Sequence, residues 1–361
     1  MNTEPPNAFA PSDATGSRVV DPAEVEIDVL GGTRPPIRRL LSSLLRVLRS
    51  KVLRLGFLAV VLGLFVVVVV NQAGTLWHEV QRLSAPAMLL AAVLNLCGLF
   101  CSLMVWRELL AELGSRLSVS EAWRIMFIGQ LAKYAPGSIW PVLAQSELGA
   151  DSGIPRSRSA LSVLLSYAVM TCTGAVVAAL VLPFAGGGSL ARYIWVLLLI
   201  PVSLVLLSPP ALNRLLVLVL RLSRLPPLEQ GVSFKGLART MAWAITGWSC
   251  NGAMVYVLTR QLATDQHELV LVSVGSYALS WVVGFLAVFA PAGAGVREAV
   301  MVAILSTRMT SATGLSVALV SRALAVVSDA ITGAAASALV GRRRLRLLRA
   351  PRSASRPSNL D

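Results

Sequence analysis

Charge is what this sequence has least of. Asp, Glu, Lys and Arg make up 14% of its 361 residues, against 55% hydrophobic, and the mean hydropathy is +0.71. No water-soluble core hides that much apolar surface, so a soluble enzyme is excluded. Lysine is nearly absent, with only Lys51, Lys133 and Lys235. Histidine is limited to His78 and His267 in separate loops, so no metal site is expected. The four cysteines, Cys97, Cys101, Cys172 and Cys250, all fall inside apolar runs. There they read as small hydrophobes, not as disulfide partners or metal ligands. Nothing in the sequence calls for a cofactor, and no catalytic residue is assigned.

Long uncharged runs take the place of the missing charge. Val52 to Val70 contains "VVLGLFVVVVV", and similar stretches lie near Ala85 to Trp106, Ala160 to Pro183, Tyr193 to Ser208, Thr240 to Leu258 and Leu269 to Ala290. A last one, Thr313 to Val340, carries Arg322 and Asp329. Each approaches the roughly 20 residues that cross a bilayer as helix. Lipid cannot satisfy exposed backbone groups and no period-2 barrel pattern occurs, so the expected fold is an all-α polytopic membrane protein of six to eight transmembrane helices. The first run starts after some fifty residues and lacks a small-residue cleavage site, which predicts a retained helix instead of a signal peptide.

The net charge of +14 comes from basic residues that flank the apolar runs, a membrane pattern and not a nucleic-acid surface. Arg38 to Lys51 precede the first run and Arg54 sits at its start, Arg214, Arg221 and Arg224 follow the fourth, and Arg342 to Arg349 follow the last. By the positive-inside rule both termini are expected in the cytoplasm. The expected organisation is a disordered Pro/Ala/Asp/Glu-rich tail over 1–36, a basic interfacial segment over 37–51, a membrane domain over 52–340, and a basic cytoplasmic tail over 341–361. "ALNRLLVLVLRLSRL" reads equally as an interfacial helix or as topology anchors. Abundant Ala, Val and Arg beside so little lysine point to a GC-rich bacterial genome, and the expected location is a bacterial inner (cell) membrane.

One phrase occurs twice. "GQLAKYAP" (Gly129 to Pro136) and "GFLAVFAP" (Gly284 to Pro291) align glycine, leucine, both alanines and proline, with Tyr134 opposite Phe289. Around the first copy, Glu121 to Glu147 is too polar and too interrupted for a simple span, and Pro136 with Gly137 breaks its helix. The basic stretch "DSGIPRSR" after it belongs on the cytoplasmic side, so the segment reads as a re-entrant hairpin entering and leaving on the inside. The second copy then enters from the outside, as another hairpin or as two full crossings. Halves over about 52–183 and 192–340 would form an inverted-topology repeat, whose interrupted segments mark a transporter's binding site near the membrane midplane.

A broken helix recruits an anion without a nucleophile, because its new N-terminus exposes free N–H groups and a positive dipole end. Gly137 and Ser138 open one half-helix after Pro136; Gly293 and Gly295 open the other after Pro291, with Arg297 and Glu298 in its first turn. Lys133 and Tyr134 precede the first break. A charge near the bilayer centre costs about 2.5 to 3.5 kcal/mol on the lenient scale, so Lys133, Arg297, Glu298, Arg322 and Asp329 must line a polar cavity or pair. Substrate contact is favoured for Lys133 and Arg297; Glu298 invites pairing with an arginine. Arg322 and Asp329, on one helical face, read as cavity or as structural charges.

"GQLAKYAPGSIW" followed by "GADSGI", and later "FAPAGAGVREAV", resemble the two motifs of the lysylphosphatidylglycerol synthase transmembrane (flippase-like) family. The resemblance implies a lipid flippase domain without the soluble synthase domain of its bifunctional members. It carries the family's Pro-Gly and Gly-x-Glu-like positions to Pro136, Gly137, Pro291, Gly293, Gly295 and Glu298. Where many members have an arginine shortly after the first break, this chain has Gln145 and Glu147, which implies a different substrate. The expected function is transfer of a phosphate-bearing lipid or lipid-linked envelope precursor between leaflets. The alternatives are a membrane-embedded transferase using a lipid-linked donor, or a non-transporting partner of an envelope-biosynthesis enzyme. Expected partners are a membrane phospholipid or lipid-linked substrate, no nucleic acid, and such an enzyme or a second copy of the chain.

Overall fold

The computed structural model describes residues 78, 81–134, 140–184, 197–222, 231–263, 267–287 and 290–349, with the side chains of 134, 291 and 339–349 left aside. The expected tail, the basic segment 37–51 and the first run Val52 to Val70 lie outside the described residues. Among the described residues the chain is helical and contains no strand. The helices are α1 (Ala85–Glu112), α2 (Val119–Gln130), α3 (Trp140–Ala150), α4 (Arg156–Val181), α5 (Leu199–Leu206), α6 (Pro209–Leu222), α7 (Phe234–Leu262), α8 (Leu269–Leu286), α9 (Val296–Leu305) and α10 (Ser311–Arg349).

Four of them, α1, α4, α8 and α10, are long and apolar enough to cross a membrane. The α5/α6 pair adds a fifth candidate if counted as one span bent by 65°. The bend falls at Ser208, where Pro209 and Pro210 remove two backbone donors. The run predicted over Tyr193 to Ser208 is thus a helix of only 8 residues among those described. α6 buries Leu212, Leu216 and Leu220 at four-residue spacing. α7 has the length to cross, at 29 residues, but it buries Thr240, Asn251 and Thr259 and is less apolar than the four.

α1 and α7 pack against each other over the most extensive contact among the described helices. Gly98 makes room there for Asn251, whose Oδ1 accepts from Asn95 Nδ2 at 3.0 Å. Around this pair two sets of helix contacts correspond. α4 packs on α8 as α10 packs on α2, and α3 packs on α4 as α9 packs on α10. Trp248 of α7 lies against Gly174 of α4 and donates its indole N–H to Thr173 Oγ1 at 3.1 Å.

Two helix pairs turn back on themselves. α2 has 12 residues and α3 has 11, each about 17 Å long and too short to cross alone. Ser118 caps α2, accepting from the Glu121 N–H at 3.3 Å. The mouth of this pair closes where Arg124 Nη2 donates to Ser152 Oγ at 2.6 Å. Arg156 grips Glu147 with Nη2 to Oε2 at 2.8 Å, and those hydrogen bonds hold the Glu147 carboxyl below its ordinary value. The second pair is α8 and α9, with 18 and 10 residues. Its mouth closes through Arg308 Nη2 and Glu268 Oε2 at 2.7 Å. α4 spans about 39 Å between the two mouths: it starts at Arg156 beside the first, and its far end at Leu182 rests on Gly275, one-third of the way along α8.

Candidate functional site

The inner tips of the two pairs meet. A 3-10 turn, Leu131–Tyr134, ends the first arm, and another, Pro291–Gly293, follows the second; the two turns are in contact. The second break needs unusual backbone. Ala292, Gly293 and Gly295 have φ of 50°, 72° and 82°, the left-handed region where glycine alone is unstrained. Gly295 is the residue before α9, and its N–H donates to Glu298 Oε2 at 2.7 Å. The positive end of α9 is therefore answered by its own carboxylate. Pro136, Gly137 and Ser138 lie outside the described residues.

The intramembrane charges gather at these tips. Lys133 Nζ lies 2.7 Å from Asp329 Oδ2, which ties the first break to α10. Arg322, seven residues before Asp329, places Nε 3.6 Å from Glu298 Oε1 and so ties α10 to the second break. Glu298 and Asp329 are each only 5% exposed, as buried carboxylates can be when a cation accompanies them. The pairing foreseen for Glu298 exists, with Arg322 as its partner and not its neighbour Arg297. Arg322 and Asp329 do share a face, yet each pairs away from its own helix.

Arg297 is held differently. Among the described residues it meets no carboxylate within 4.0 Å. Its stem runs over Gly284 and Gly293, where a Cβ would collide with it, and its guanidinium sits 5.7 Å from the centroid of the Tyr277 ring, a cation–π distance. Behind Tyr277 stand Trp248 at 6.1 Å, Trp281 at 5.3 Å from Trp248, and Phe285 stacked on Trp281 at 5.3 Å. A cavity of about 20 Å³ opens between Tyr277, Arg297, Glu298, Met301, Ser321 and Arg322. That is room for about one water molecule.

The repeated phrase has a structural counterpart as well. Its first glycine, Gly129, is the seat of Gln145 from α3, as Gly284 is the seat of Arg297 from α9. Both glycines are needed for the same reason: the returning half-helix lays a long polar side chain across the helix that carries them. Tyr277 and Ser321 were not singled out from the sequence, where an isolated tyrosine and serine in apolar runs carry no signal.

All four cysteines are free, and no cluster of metal-ligating side chains occurs among the described residues. The family model described as Lysylphosphatidylglycerol synthase TM region matches residues 54–333. No curated protein matches the chain.

Proposed function

The chain belongs to the lysylphosphatidylglycerol synthase TM region family, and on that premise we propose that it moves a phosphate-bearing lipid between the leaflets of a bacterial inner membrane, with the head group held where the two broken pairs meet. The family and the apolar helices make it a multi-pass membrane protein in a lipid-related context. The observation that carries the rest is the meeting of two helix breaks around five ionisable groups, the arrangement expected of a transporter's central site. Matched packing of α4 on α8 and of α10 on α2 supports an inverted repeat. Mouths closed at opposite ends by Arg124 with Ser152 and by Arg308 with Glu268 support two oppositely directed re-entrant hairpins.

In this reading Lys133, Arg297 and Arg322 form the head-group face, and Glu298 and Asp329 hold two of those cations in place until lipid arrives. The small cavity then belongs to a closed state, which must widen for a head group to pass. Purified protein in liposomes should accelerate the appearance of a labelled phospholipid head group in the opposite leaflet. Consumption of a lipid-linked donor with release of a transferred product would instead establish the transferase alternative.

A further inference from the structure

We infer that the head group this site takes carries a single ionised phosphodiester beside a neutral hydroxylated moiety such as glycerol or a sugar, and is neither a pyrophosphate nor an aminoacylated cation. The inference rests on the transport reading above and narrows its substrate. Its first support is the charge inventory. Lys133 is matched by Asp329 and Arg322 by Glu298, leaving Arg297, among the described residues at the breaks, as the one cation in excess of the carboxylates. The residues at the breaks that lie outside the described set, 135–139 and 288–289, are Ala, Pro, Gly, Ser, Ile, Val and Phe, and add no charge. One surplus positive charge matches a phosphodiester. A phosphomonoester brings about 1.5 to 2 negative charges, and a pyrophosphate linkage brings more than one as well. An aminoacylated head group needs a carboxylate for its ammonium, and both carboxylates are already engaged.

The second support is independent of charge. Gln145 occupies on Gly129 the seat that Arg297 occupies on Gly284. It is 2% exposed, and its amide makes no hydrogen bond to another described residue, although the amide atoms themselves are not sealed off. An amide that no protein group engages can serve a ligand both as donor and as acceptor. A hydroxylated head group uses both, with the hydroxyls donating to the amide oxygen and accepting from its N–H. The two arms thus offer one guanidinium for the phosphate and one neutral amide for what is esterified to it.

The test uses the full chain in phosphatidylcholine liposomes, reading head-group accessibility to an impermeant reagent. Four labelled lipids are compared: phosphatidylglycerol, a polyprenyl phosphohexose, lysyl-phosphatidylglycerol and a polyprenyl pyrophosphate sugar. One or both of the first two should move at least about tenfold faster than the last two, and which of them does so tells a glycerolipid from a polyprenyl carrier. Faster movement of the pyrophosphate or the lysyl lipid overturns the inference and leaves transport standing. Movement of none overturns transport and the inference with it. Asp329→Asn and, independently, Glu298→Gln each raise the surplus to two and should shift preference toward the pyrophosphate; no shift in either folded variant overturns the charge argument. Gln145→Leu should abolish the advantage of phosphatidylglycerol over phosphatidylmethanol, which lacks hydroxyls. Equal slowing of both lipids would make Gln145 structural.

Discussion

Arg297 and Lys133 carry the same charge at the same pair of breaks, yet their removal should have opposite costs. The two oxygens of Glu298 are engaged by the Gly295 N–H and by Arg322, so Arg297→Ala orphans no carboxylate. It should stay within about 1 kcal/mol of the parent in stability while losing lipid movement. Arg297→Lys should recover only part of the movement, since an ammonium lacks the planar fork that grips phosphate and stacks on Tyr277. Lys133→Ala takes away the ammonium 2.7 Å from a carboxylate that is 5% exposed, and should cost about 3 kcal/mol or more. Lys133→Met combined with Asp329→Leu removes both charges and should recover most of that loss. Thermal unfolding in detergent, measured beside transport, separates the cases: an unstable Arg297→Ala or a fully stable Lys133→Ala would refute the assignment of roles.

At the scale of elements, the glycines set how closely helices approach. Gly174 faces the Trp248 ring so tightly that a Cβ would already overlap it, so Gly174→Val should overpack the α4/α7 contact and cost about 1 to 3 kcal/mol. Gly293→Ala adds a side chain at φ 72° against the Gly284 carbonyl, at about 1 to 2 kcal/mol of backbone strain alone. Both costs are read from unfolding midpoints; a neutral Gly174→Val would mean that the contact opens in the membrane. The second break was legible, because Pro291 ends a helix and Gly293 and Gly295 weaken one and allow positive φ; Pro136 and Gly137 lie outside the described residues. The ion-pair partners were not. Lys133 and Asp329 are 196 positions apart, and nothing local to either says which carboxylate meets which cation. The α5/α6 bend was half legible: Pro209 and Pro210 announce a break, but the apolar run before them looks like a span when only hydropathy is weighed. Gln145 stood out merely as a missing arginine, and its matching seat on Gly129 became visible only once α3 was laid back on α2.

For the whole molecule, the two mouths define two faces and the distribution of charge orients them. Arg107, Arg116, Arg124, Arg156, Arg158, Lys235 and Arg239 lie toward the end where α1 finishes, α2 begins and α7 begins: Arg107 donates to the Leu117 carbonyl at 2.9 Å, Arg158 to the Gly114 carbonyl at 3.1 Å, and Arg239 lies 3.3 Å from Glu108. The opposite end, where α1 begins, α7 finishes and α8 begins, carries Arg82, Arg260 and Arg308, and Arg308 is tied to Glu268. Basic residues are retained on the cytoplasmic side during insertion, so the first mouth should face the cytoplasm and the second the outside. In that orientation α10 would start outside, and its 39 residues, about 58 Å, are long enough to bring 341–349 to the cytoplasmic side. Its Asp329 then lies about 27 Å along the axis, in reach of the first break, and Arg322 about 16 Å along, in reach of the second. The order of the two charges on α10 is the one that oppositely directed hairpins would require. In a background lacking the four native cysteines, Ser306→Cys should react with an impermeant maleimide in intact cells, and Asp151→Cys only after permeabilisation. Reversed labelling would invert the molecule without disturbing the site. Labelling of both from one side would place the two mouths on the same face, and the opposed hairpins together with the inverted repeat would have to be abandoned.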